Sequence, residues 1–327
     1  MRTTFLYDPA TGQVKEGLTP AEIEAALKDP QKLLWIDMED PAAEDYSLLD
    51  EPFHFHPLLI ADCITPQNLP KCDDMEDYIF IVLHSVYYYV TKREEQALDI
   101  REIDIFAGPN YILTIHQGHI KTVTVNREVC RKSSKIMNRG AGTLLYRLLD
   151  TMVNNYMDII NTLTDRMDTL EDEILAGARP VMLPRILSMK KNVMTMRKVL
   201  IPQTELFYQI CQGKISFITG DAIMYFKDIN DHFSRVSDLV NSLREMGESL
   251  LDAYRSTQTA HLNMVMKILT VIMTVMMPMT LVAGIGGMNV NFPFGLHHTI
   301  AGFWILVGIM AAGGILLIIW FRKIKLL

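Results

Sequence analysis

The C-terminal part of the chain contains a long run without any formally charged side chain. From Ile268 to Phe321, 54 consecutive residues include no Asp, Glu, Lys or Arg. One helix of that length would extend about 80 Å, whereas the hydrocarbon core of a bilayer is about 30 Å thick. Gly286 and Asn289 lie in a Gly- and Asn-rich break near the middle of the run. The sequence therefore predicts a transmembrane helix over 265–286, an external loop over 287–299 and a second transmembrane helix over 300–321.

Basic residues around this run indicate its orientation. Arg255 and Lys267 precede the first predicted span, and the segment 322–327 after the second span carries three basic residues. The predicted loop contains no Lys or Arg. Because basic residues concentrate on the cytoplasmic side, we expect a multi-pass protein of the cell (inner) membrane, with both termini and a basic tail in the cytoplasm.

The remainder of the chain is acidic. The whole sequence has 31 basic and 38 acidic residues, and residues 258–327 hold four basic residues and no acidic one. Residues 1–257 therefore carry a formal net charge of −11. An acidic body beside a membrane would attract cations and repel nucleic acid, although an ordinary solvated surface has the same composition.

Cysteine usage and missing motifs narrow the range of functions. Cys63, Cys72, Cys130 and Cys211 form no Cys-x-x-Cys pair, which argues against structural zinc and disulfides. No Walker-type loop, dinucleotide fingerprint or His-Glu-x-x-His sequence occurs. Residues 1–8 lack the apolar stretch that a signal peptide needs. We expect neither an enzyme nor a covalently bound cofactor.

Residues 1–135 have the pattern of a cytoplasmic α/β domain. Thr19, Pro20 and Glu22 form a helix-start signal, with an N-cap, a proline at the first helical position and an acid in the first turn. Runs of β-branched and aromatic residues predict strands over 3–7, 33–37, 78–89, 100–106 and 111–116, the last two joined as a hairpin.

From residue 136 the pattern becomes helical. Apolar residues recur at spacings of three and four between Met152 and Ile174, Gly177 and Pro180 break the pattern, and a second helical segment follows. The first helix is acidic on its outer face and the second is basic, which predicts an antiparallel hairpin over 136–215. The acidic face could hold metal ions or be solvated and salt-bridged.

A seven-residue repeat marks the predicted stalk, residues 216–264. The repeat consists of Phe226, Phe233, Val240, Gly247, Tyr254 and His261, with the interleaved series Ile229, Val236, Leu243, Leu250, Thr257 and Met264. Such a repeat is typical of helices that pack against copies of themselves. No Gly or Pro occurs between Glu248 and Met277. Stalk and first span are therefore predicted to form one helix of about 65 residues, roughly 95 Å long, which each subunit contributes to a central bundle.

One face of this helix continues through the predicted span as a candidate pore lining. It consists of Asn263, Met266, Thr270, Met273, Met277, Thr280 and Gly284. Asn and Thr oxygens can contact water, and Met can form a dewetting constriction. The alternative is an ordinary Met-rich contact between helices, because Met fills gaps adaptably.

Gly287 and Asn289 at the outer end admit two interpretations. A ring of Asn amide oxygens and Gly carbonyls from several subunits would be polar and uncharged. It could hydrogen-bond the water shell of a cation without removing it, which suits Mg²⁺ because this ion releases water reluctantly. Alternatively the residues cap the helix, since left-handed Gly or Asn commonly ends helices. One segment can do both.

Several motifs resemble those of the CorA-type magnesium channel family. They are Lys267-Ile268-Leu269-Thr270, Pro278-Met279-Thr280, Ala283-Gly284 and Gly287-Met288-Asn289 at the membrane, and His56-Pro57-Leu58, Pro70-Lys71, Asp77-Tyr78 and Tyr225-Phe226-Lys227-Asp228 upstream. The order of the predicted parts is also similar, so the resemblance covers nearly the whole chain. Its most specific element is Gly-Met-Asn at the end of the first of two C-terminal spans.

The resemblance implies a CorA-like, funnel-shaped homopentamer through which divalent cations flow passively, with Mg²⁺ as transported ion and regulatory ligand. By position, Gly287, Met288 and Asn289 would form the selectivity filter. The pore or its gate would be lined by Asn263, Met266, Leu269, Met277 and Thr280, of which Leu269 lies one residue off the face drawn from spacing. Asp228 would match an acid that binds regulatory Mg²⁺ between subunits and favours the closed state.

The chain departs from the family pattern around the outer loop. Gly286 replaces the usual aromatic before Gly-Met-Asn, Val290 replaces a common Phe after it, and the usual acidic loop is absent. His297 and His298 stand in the loop instead, and imidazole can favour Zn²⁺, Co²⁺ or Ni²⁺, although adjacent loop histidines are commonly only solvated. No acid at Tyr87–Tyr89 offers the usual inter-subunit partner of the regulatory acid.

Three functions follow as hypotheses. The first is a Mg²⁺ channel whose partners are copies of itself, the lipid bilayer and divalent cations. The second is a zinc, cobalt or nickel transporter of the same architecture. The third is a membrane-anchored coiled-coil scaffold that conducts no ions. Comparing fluxes of different cations distinguishes the first two, and flux through an Asn289→Ala variant tests the third.

Overall fold

Contacts divide the chain into two compact units. The computed structural model describes residues 1–65, 69–90, 96–212, 221–288 and 300–324. The first unit comprises Met1–Glu173 and Pro180–Leu251, and the second comprises Ile174–Arg179 and Asp252–Leu327. The first unit thus holds all the strands of the described chain, and the second holds both helical segments that are apolar enough for a membrane.

The order of elements is that of an α/β domain followed by long helices. The strands are β1 Arg2–Asp8, β2 Gln13–Glu16, β3 Leu33–Glu39, β4 Lys71–Asp74, β5 Ile79–Val90, β6 Gln96–Ala107 and β7 Tyr111–His116. The helices are α1 Pro20–Leu27, α2 Ser47–Asp50, α3 Pro57–Ile64, α4 Lys121–Lys132, α5 Ala141–Gly177, α6 Met182–Cys211, α7 Asp221–Gly286 and α8 Ile300–Lys323, with a short 3-10 turn at Met137–Arg139.

The strands form one mixed sheet in the described chain, in the order β2-β1-β3-β7-β6-β5-β4. Strands β3 and β7 pair in parallel, while β6 pairs antiparallel with both β7 and β5. The hairpin of β6 and β7 confirms the one predicted from the sequence. Both faces of the sheet are covered, since Trp35, Phe80 and Phe106 are fully buried and Ile103 and Ile105 are buried on β6 as well.

The predicted start of α1 is confirmed in detail. The Thr19 hydroxyl accepts a hydrogen bond from the Glu22 backbone N–H at 3.4 Å, and the Glu22 carboxylate accepts one from the Thr19 N–H at 2.9 Å. This reciprocal pair satisfies two backbone donors that a helix start otherwise leaves without partners. Pro20 follows at the first helical position, as the sequence predicts.

The α5–α6 hairpin is salt-bridged where the sequence predicts opposite charges. Arg185 of α6 lies 2.5 Å from Glu173 of α5, and Asp158 of α5 lies 3.0 Å from Lys121 of α4. Among the described residues, no group of three or more His, Cys, Asp or Glu side chains is arranged to hold a metal ion. The solvated and salt-bridged interpretation of the acidic face therefore fits the structure better than a metal site.

The seven-residue repeat of α7 packs differently from the prediction. Phe226, Ile229, Phe233, Val236, Val240, Leu243 and Leu250 are all at most 5% exposed within the single chain. The Phe233 ring lies 4.6 Å from Phe207 of α6 and 5.9 Å from Tyr156 of α5. The expectation that this part of the repeat contacts copies of itself was wrong, because α5 and α6 of the same chain cover it. A periodicity shows that a face is buried but does not identify its partner.

The second unit contains two helical segments that can cross a bilayer. Helix α7 has 66 residues and ends at Gly286, in agreement with the single helix of about 65 residues predicted from the sequence. The most apolar window of α7 has a mean hydropathy of 2.2 and that of α8 has 2.4. Helix α7 continues through Pro278 without ending. The predicted stalk and the first predicted span therefore belong to one continuous helix.

Candidate functional site

An open groove runs along the membrane segment of α7. It is lined by Met273, Met276, Met277, Thr280, Leu281, Gly284, Ile285 and Met288. Four of these residues, Met273, Met277, Thr280 and Gly284, belong to the pore face predicted from spacing. The structure therefore places the membrane half of that face on one continuous, mainly apolar surface of the helix.

Helical geometry separates this surface from the contact with α8. At about 100° per residue, the predicted pore residues from Asn263 to Gly284 fall within a sector of about 120°, and Leu269 falls inside it as well. The opposite side of α7 contacts α8: a Cβ built on Gly286 would lie 3.0 Å from Leu306, and one built on Gly314 would meet Met279. The candidate pore face thus points away from α8.

The described residues leave the candidate pore face largely exposed. Met277 is 72% exposed and Met266 is 60% exposed. Two hydroxyls on this face are oriented by their own helix, since Thr270 donates to the Met266 carbonyl at 2.8 Å and Thr280 donates to the Met276 carbonyl at 2.9 Å. With the protons used in this way, the hydroxyl oxygens keep acceptor capacity towards water. The face can therefore offer a row of weak acceptors between Met side chains.

The end of α7 is tightened rather than capped by a left-handed glycine. The Gly287 N–H donates to the Ala283 carbonyl at 3.0 Å, and the Met288 N–H donates to the Ile285 carbonyl at 3.1 Å. The φ angle of Gly287 lies outside the left-handed region. Gly287 therefore does not form the left-handed cap that the sequence left open. Asn289, His297 and His298 lie outside the described residues, so the selectivity filter and the histidine contact stay predictions.

Gly286 has a packing role that accounts for one departure from the family pattern. A Cβ at this position would lie 3.0 Å from the Leu306 Cδ1 atom and 3.3 Å from its Cδ2 atom. These distances are shorter than ordinary carbon contacts of about 3.5–4.0 Å. Any side chain at residue 286 would therefore require Leu306 to shift, and the glycine permits this close contact.

Asp228 on α7 has polar neighbours in its own chain, but among the described residues it belongs to no group of three or more His, Cys, Asp or Glu that could hold a metal ion. Tyr146 of α5 donates a hydrogen bond to the Asp228 Oδ2 atom at 2.8 Å, and the His232 Nε2 atom lies 3.8 Å from Oδ1. This hydrogen bond to the carboxylate raises the pKa of Tyr146 to about 12. The Asp228 side chain is 48% exposed. A regulatory ion at Asp228 would therefore need further ligands from outside the described part of this chain.

A buried acid in the first unit was not found from the sequence. Asp104 on β6 is 3% exposed and lines a cavity of about 560 Å³, and its Oδ1 atom has no hydrogen-bond partner in the described chain. Burial, together with the neighbouring Glu102 carboxylate, raises the pKa of Asp104 to about 8, against the lowering effect of a hydrogen bond from Cys63. Burial also raises the pKa of the Cys63 thiol. An acid with these surroundings is largely protonated at neutral pH.

Replacing Asp104 by Asn is expected to change how stability depends on pH. Unfolded Asp ionises near pH 3.9, whereas folded Asp104 ionises near 8, so the folded state binds the extra proton between these values. The stability of the native protein should therefore fall by up to about 1.4 kcal/mol per pH unit as pH rises through this window. Asn cannot ionise and should remove this slope.

Urea titrations from pH 5 to pH 8 test the Asp104 prediction. The free energy of unfolding of the native protein minus that of Asp104→Asn should decrease by up to about 4 kcal/mol over this range. Acids such as Glu22, whose folded pKa is lowered to about 2 by Lys15 and Thr19, titrate equally in both proteins and cancel in the difference. Parallel pH profiles would show that Asp104 is already ionised in the folded state.

Comparisons with known proteins agree with this arrangement. The model of a family described as "CorA-like Mg2+ transporter protein" matches residues 30–323. The YfjQ protein of Bacillus subtilis is 30% identical over 287 residues, which cover 88% of each chain. A protein of Thermotoga maritima named cobalt/magnesium transport protein CorA is 28% identical over 315 residues, covering 94% of this chain and 87% of that protein.

A solved structure supports the fold. The complete CorA magnesium transporter of Methanocaldococcus jannaschii matches with a TM-score of 0.80 at 24% sequence identity. The match covers 98% of this chain and 97% of that one. The fold with a sheet domain, a long helix and two C-terminal apolar helices, predicted from the sequence, is thereby confirmed.

Proposed function

The chain belongs to the family of CorA-like Mg²⁺ transporter proteins, and from this premise we propose that it is a channel through which Mg²⁺ enters the cell passively. It is a membrane protein that transports divalent cations, and not an enzyme. Passive flow, the preference for Mg²⁺ and the path through α7 are parts of the proposal. The exposed polar and Met-rich face of α7, opposite the contact with α8, is the observation that carries it.

The proposed pore forms where copies of this face meet around an axis. Thr270 and Thr280 would be poorly placed against lipid, because polar groups in a bilayer usually face protein or water. Around an axis, their oxygens would contact a water column, and Met273 and Met277 would narrow it. We take the assembly to be a homopentamer, with both termini in the cytoplasm and the loop outside.

The proposed selectivity filter lies at the outer end of this column. Gly287, Met288 and Asn289 of each subunit would form an uncharged ring of carbonyl and amide oxygens. Such a ring can hydrogen-bond the waters of hydrated Mg²⁺, whose shell is costly to remove, and still release the ion. The tightened end of α7 supports the proposal because it holds Gly287 and Met288, the start of the motif, in a hydrogen-bonded turn directly after the helix.

Flux into liposomes that contain the purified protein tests the proposed ion. Mg²⁺, Zn²⁺, Co²⁺ and Ni²⁺ are supplied at equal concentration, with and without a proton gradient. The proposal expects Mg²⁺ entry that follows the membrane potential and does not need the proton gradient. Zn²⁺ entry that exceeds Mg²⁺ entry and depends on protons would instead support the second candidate, a transition-metal transporter, for which His297 and His298 are the sequence observation.

Asp228 is proposed to close the channel when cytoplasmic Mg²⁺ is high. Replacing it by Asn removes the negative charge but keeps an acceptor for Tyr146. Flux measured at low and high internal Mg²⁺ should fall at least about tenfold in the native protein and by less than about threefold in Asp228→Asn, because a carboxylate is the preferred oxygen ligand of Mg²⁺. Asp165→Asn, on the outer face of α5, is the control. Equal inhibition in the native protein and Asp228→Asn would remove Asp228 from the mechanism.

A further inference from the structure

A small basic cavity lies between α6 and α7 in the first unit. Its volume is about 260 Å³, and its lining includes Lys190 and Arg197 of α6 with Arg244, Gly247 and Glu248 of α7. Three cationic side chains thus share this cavity with a single carboxylate and with the apolar residues Val193, Met194 and Leu243. Like charges at such short range need compensation, either from protein acids or from a bound anion.

The acids of the described chain compensate only one of the three cations. Arg244 lies 2.7 Å from Glu248 and 4.0 Å from Glu245. Lys190 and Arg197 make no ion pair with any residue of the described chain. The formal charges of the four ionisable lining residues, three basic and one acidic, therefore leave an excess of about two positive charges.

Two guanidinium donors in this cavity are buried without an acceptor. The Nε atoms of Arg197 and Arg244 are inaccessible to solvent and have no hydrogen-bond partner in the described chain. A buried donor without a partner is costly, so native structures rarely keep one unless something else accepts the bond. Both donors belong to residues that line the same cavity, and an acceptor bound there is one way to satisfy them. Water would satisfy the hydrogen bonds but would leave the excess charge.

Gly247 provides the space for this arrangement. A Cβ at residue 247 would lie 3.3 Å from the Lys190 Cγ atom and 3.7 Å from the Met167 Cε atom. Glycine inside a helix is destabilising relative to alanine. At residue 247 the missing side chain leaves room for Lys190. It lets the Lys190 side chain, which lines the cavity, approach α7 closely.

We propose that the cavity between α6 and α7 binds an oxyanion of the phosphate class. Guanidinium groups match tetrahedral oxyanions because their planar fork donates two parallel hydrogen bonds. A phosphate with about two negative charges balances the excess of the cavity. The volume equals that of roughly nine water molecules at about 30 Å³ each, which leaves room for the ion and some water. This site is independent of which cation the protein transports.

Phosphate titration of the full-length protein in detergent tests the proposal. Binding is followed by calorimetry and by the thermal unfolding midpoint, in a buffer without other oxyanions and at constant ionic strength. The native protein should bind inorganic phosphate saturably, with a rise in the unfolding midpoint. Arg197→Gln and Lys190→Gln should each raise the Kd at least about tenfold, as expected for loss of a charge-assisted hydrogen bond. Arg197→Lys, which keeps the charge but not the fork, should fall between the two.

Lys198→Gln is the matched control, because it removes the same charge from an exposed position of α6 outside the cavity. It should change the Kd by less than about threefold, as expected for a screened surface charge. Circular dichroism of each variant without phosphate establishes that it is folded, and Lys190→Gln serves if Arg197→Gln is not. Absence of saturable binding to the native protein, or equal weakening by Lys198→Gln and Arg197→Gln, overturns the proposal.

Discussion

Replacing Asn289 by Ala is expected to reduce Mg²⁺ flux at least about tenfold while leaving the assembly intact. The change removes one amide from every subunit, and each amide oxygen in the ring would accept a hydrogen bond from the hydrated ion. A tenfold loss corresponds to about 1.4 kcal/mol, which is within the range of one or two ordinary hydrogen bonds. Flux into liposomes with an internal Mg²⁺ indicator measures the loss, and size-exclusion chromatography measures the assembly.

Asn291→Ala is the control for Asn289→Ala. Both residues lie in the same predicted loop, but Asn291 is outside the Gly-Met-Asn motif. Its replacement should change the flux by less than about twofold if the loop acts mainly as solvated chain. Unchanged flux in Asn289→Ala would support a scaffold or a different filter. Equal loss in both variants would show that the loop as a whole, and not the ring, controls conduction.

Replacing Phe233 by Ala is expected to destabilise the first unit by about 3–5 kcal/mol, the usual cost of truncating a buried Phe. Phe233 is fully buried, and its ring stacks on Phe207 and meets the edge of Tyr156. Its removal leaves a cavity at the meeting point of three helices of one chain. Urea unfolding of the full chain in detergent, followed by far-UV circular dichroism, measures the change in the free energy of unfolding.

The matched control for Phe233 is Tyr254→Ala, which truncates an aromatic at a later position of the same seven-residue repeat. Tyr254 is only half-buried in the single chain. Its replacement should cost less than about 1 kcal/mol of unfolding free energy in the first unit. If both replacements instead dissociated the oligomer without changing the unfolding of the first unit, the whole repeat would be an inter-subunit seam, contrary to the packing of Phe233 against α5 and α6.

The membrane elements were predictable because their signal is local. A charge-free run fixes two spans by length alone, and the 3.6-residue period fixes which residues share a face of α7. The contacts of Gly286 with Leu306 and of Gly314 with Met279 could not be predicted from a local pattern. Each contact joins α7 to α8, and these two segments meet only in the folded chain. In the proposed assembly, the groups that meet the opposite face of α7 belong to other copies of the chain.

Other features were missed because their patterns are ambiguous. Helix α4 was not predicted, because its buried face combines Val123 and Cys130 with the polar residues Thr122 and Asn126. The Asn126 side chain is held by the Thr122 carbonyl and the Thr151 hydroxyl, which supply partners that only the fold brings together. The sequence places Asp104 in a predicted strand but does not reveal that its side chain is buried. An acid in an alternating run normally indicates a face that is exposed to solvent.

In the proposed channel, several copies of the chain present an uncharged ring of Asn289 side chains to hydrated cations. A structure of the assembled protein in a lipid bilayer with Mg²⁺, viewed along its symmetry axis, tests it most directly. The claim predicts Asn289 side chains around a polar aperture, with Thr280 and Met277 lining the column beneath it. Asn289 side chains directed into lipid or into subunit contacts, with no polar aperture on the axis, would contradict it.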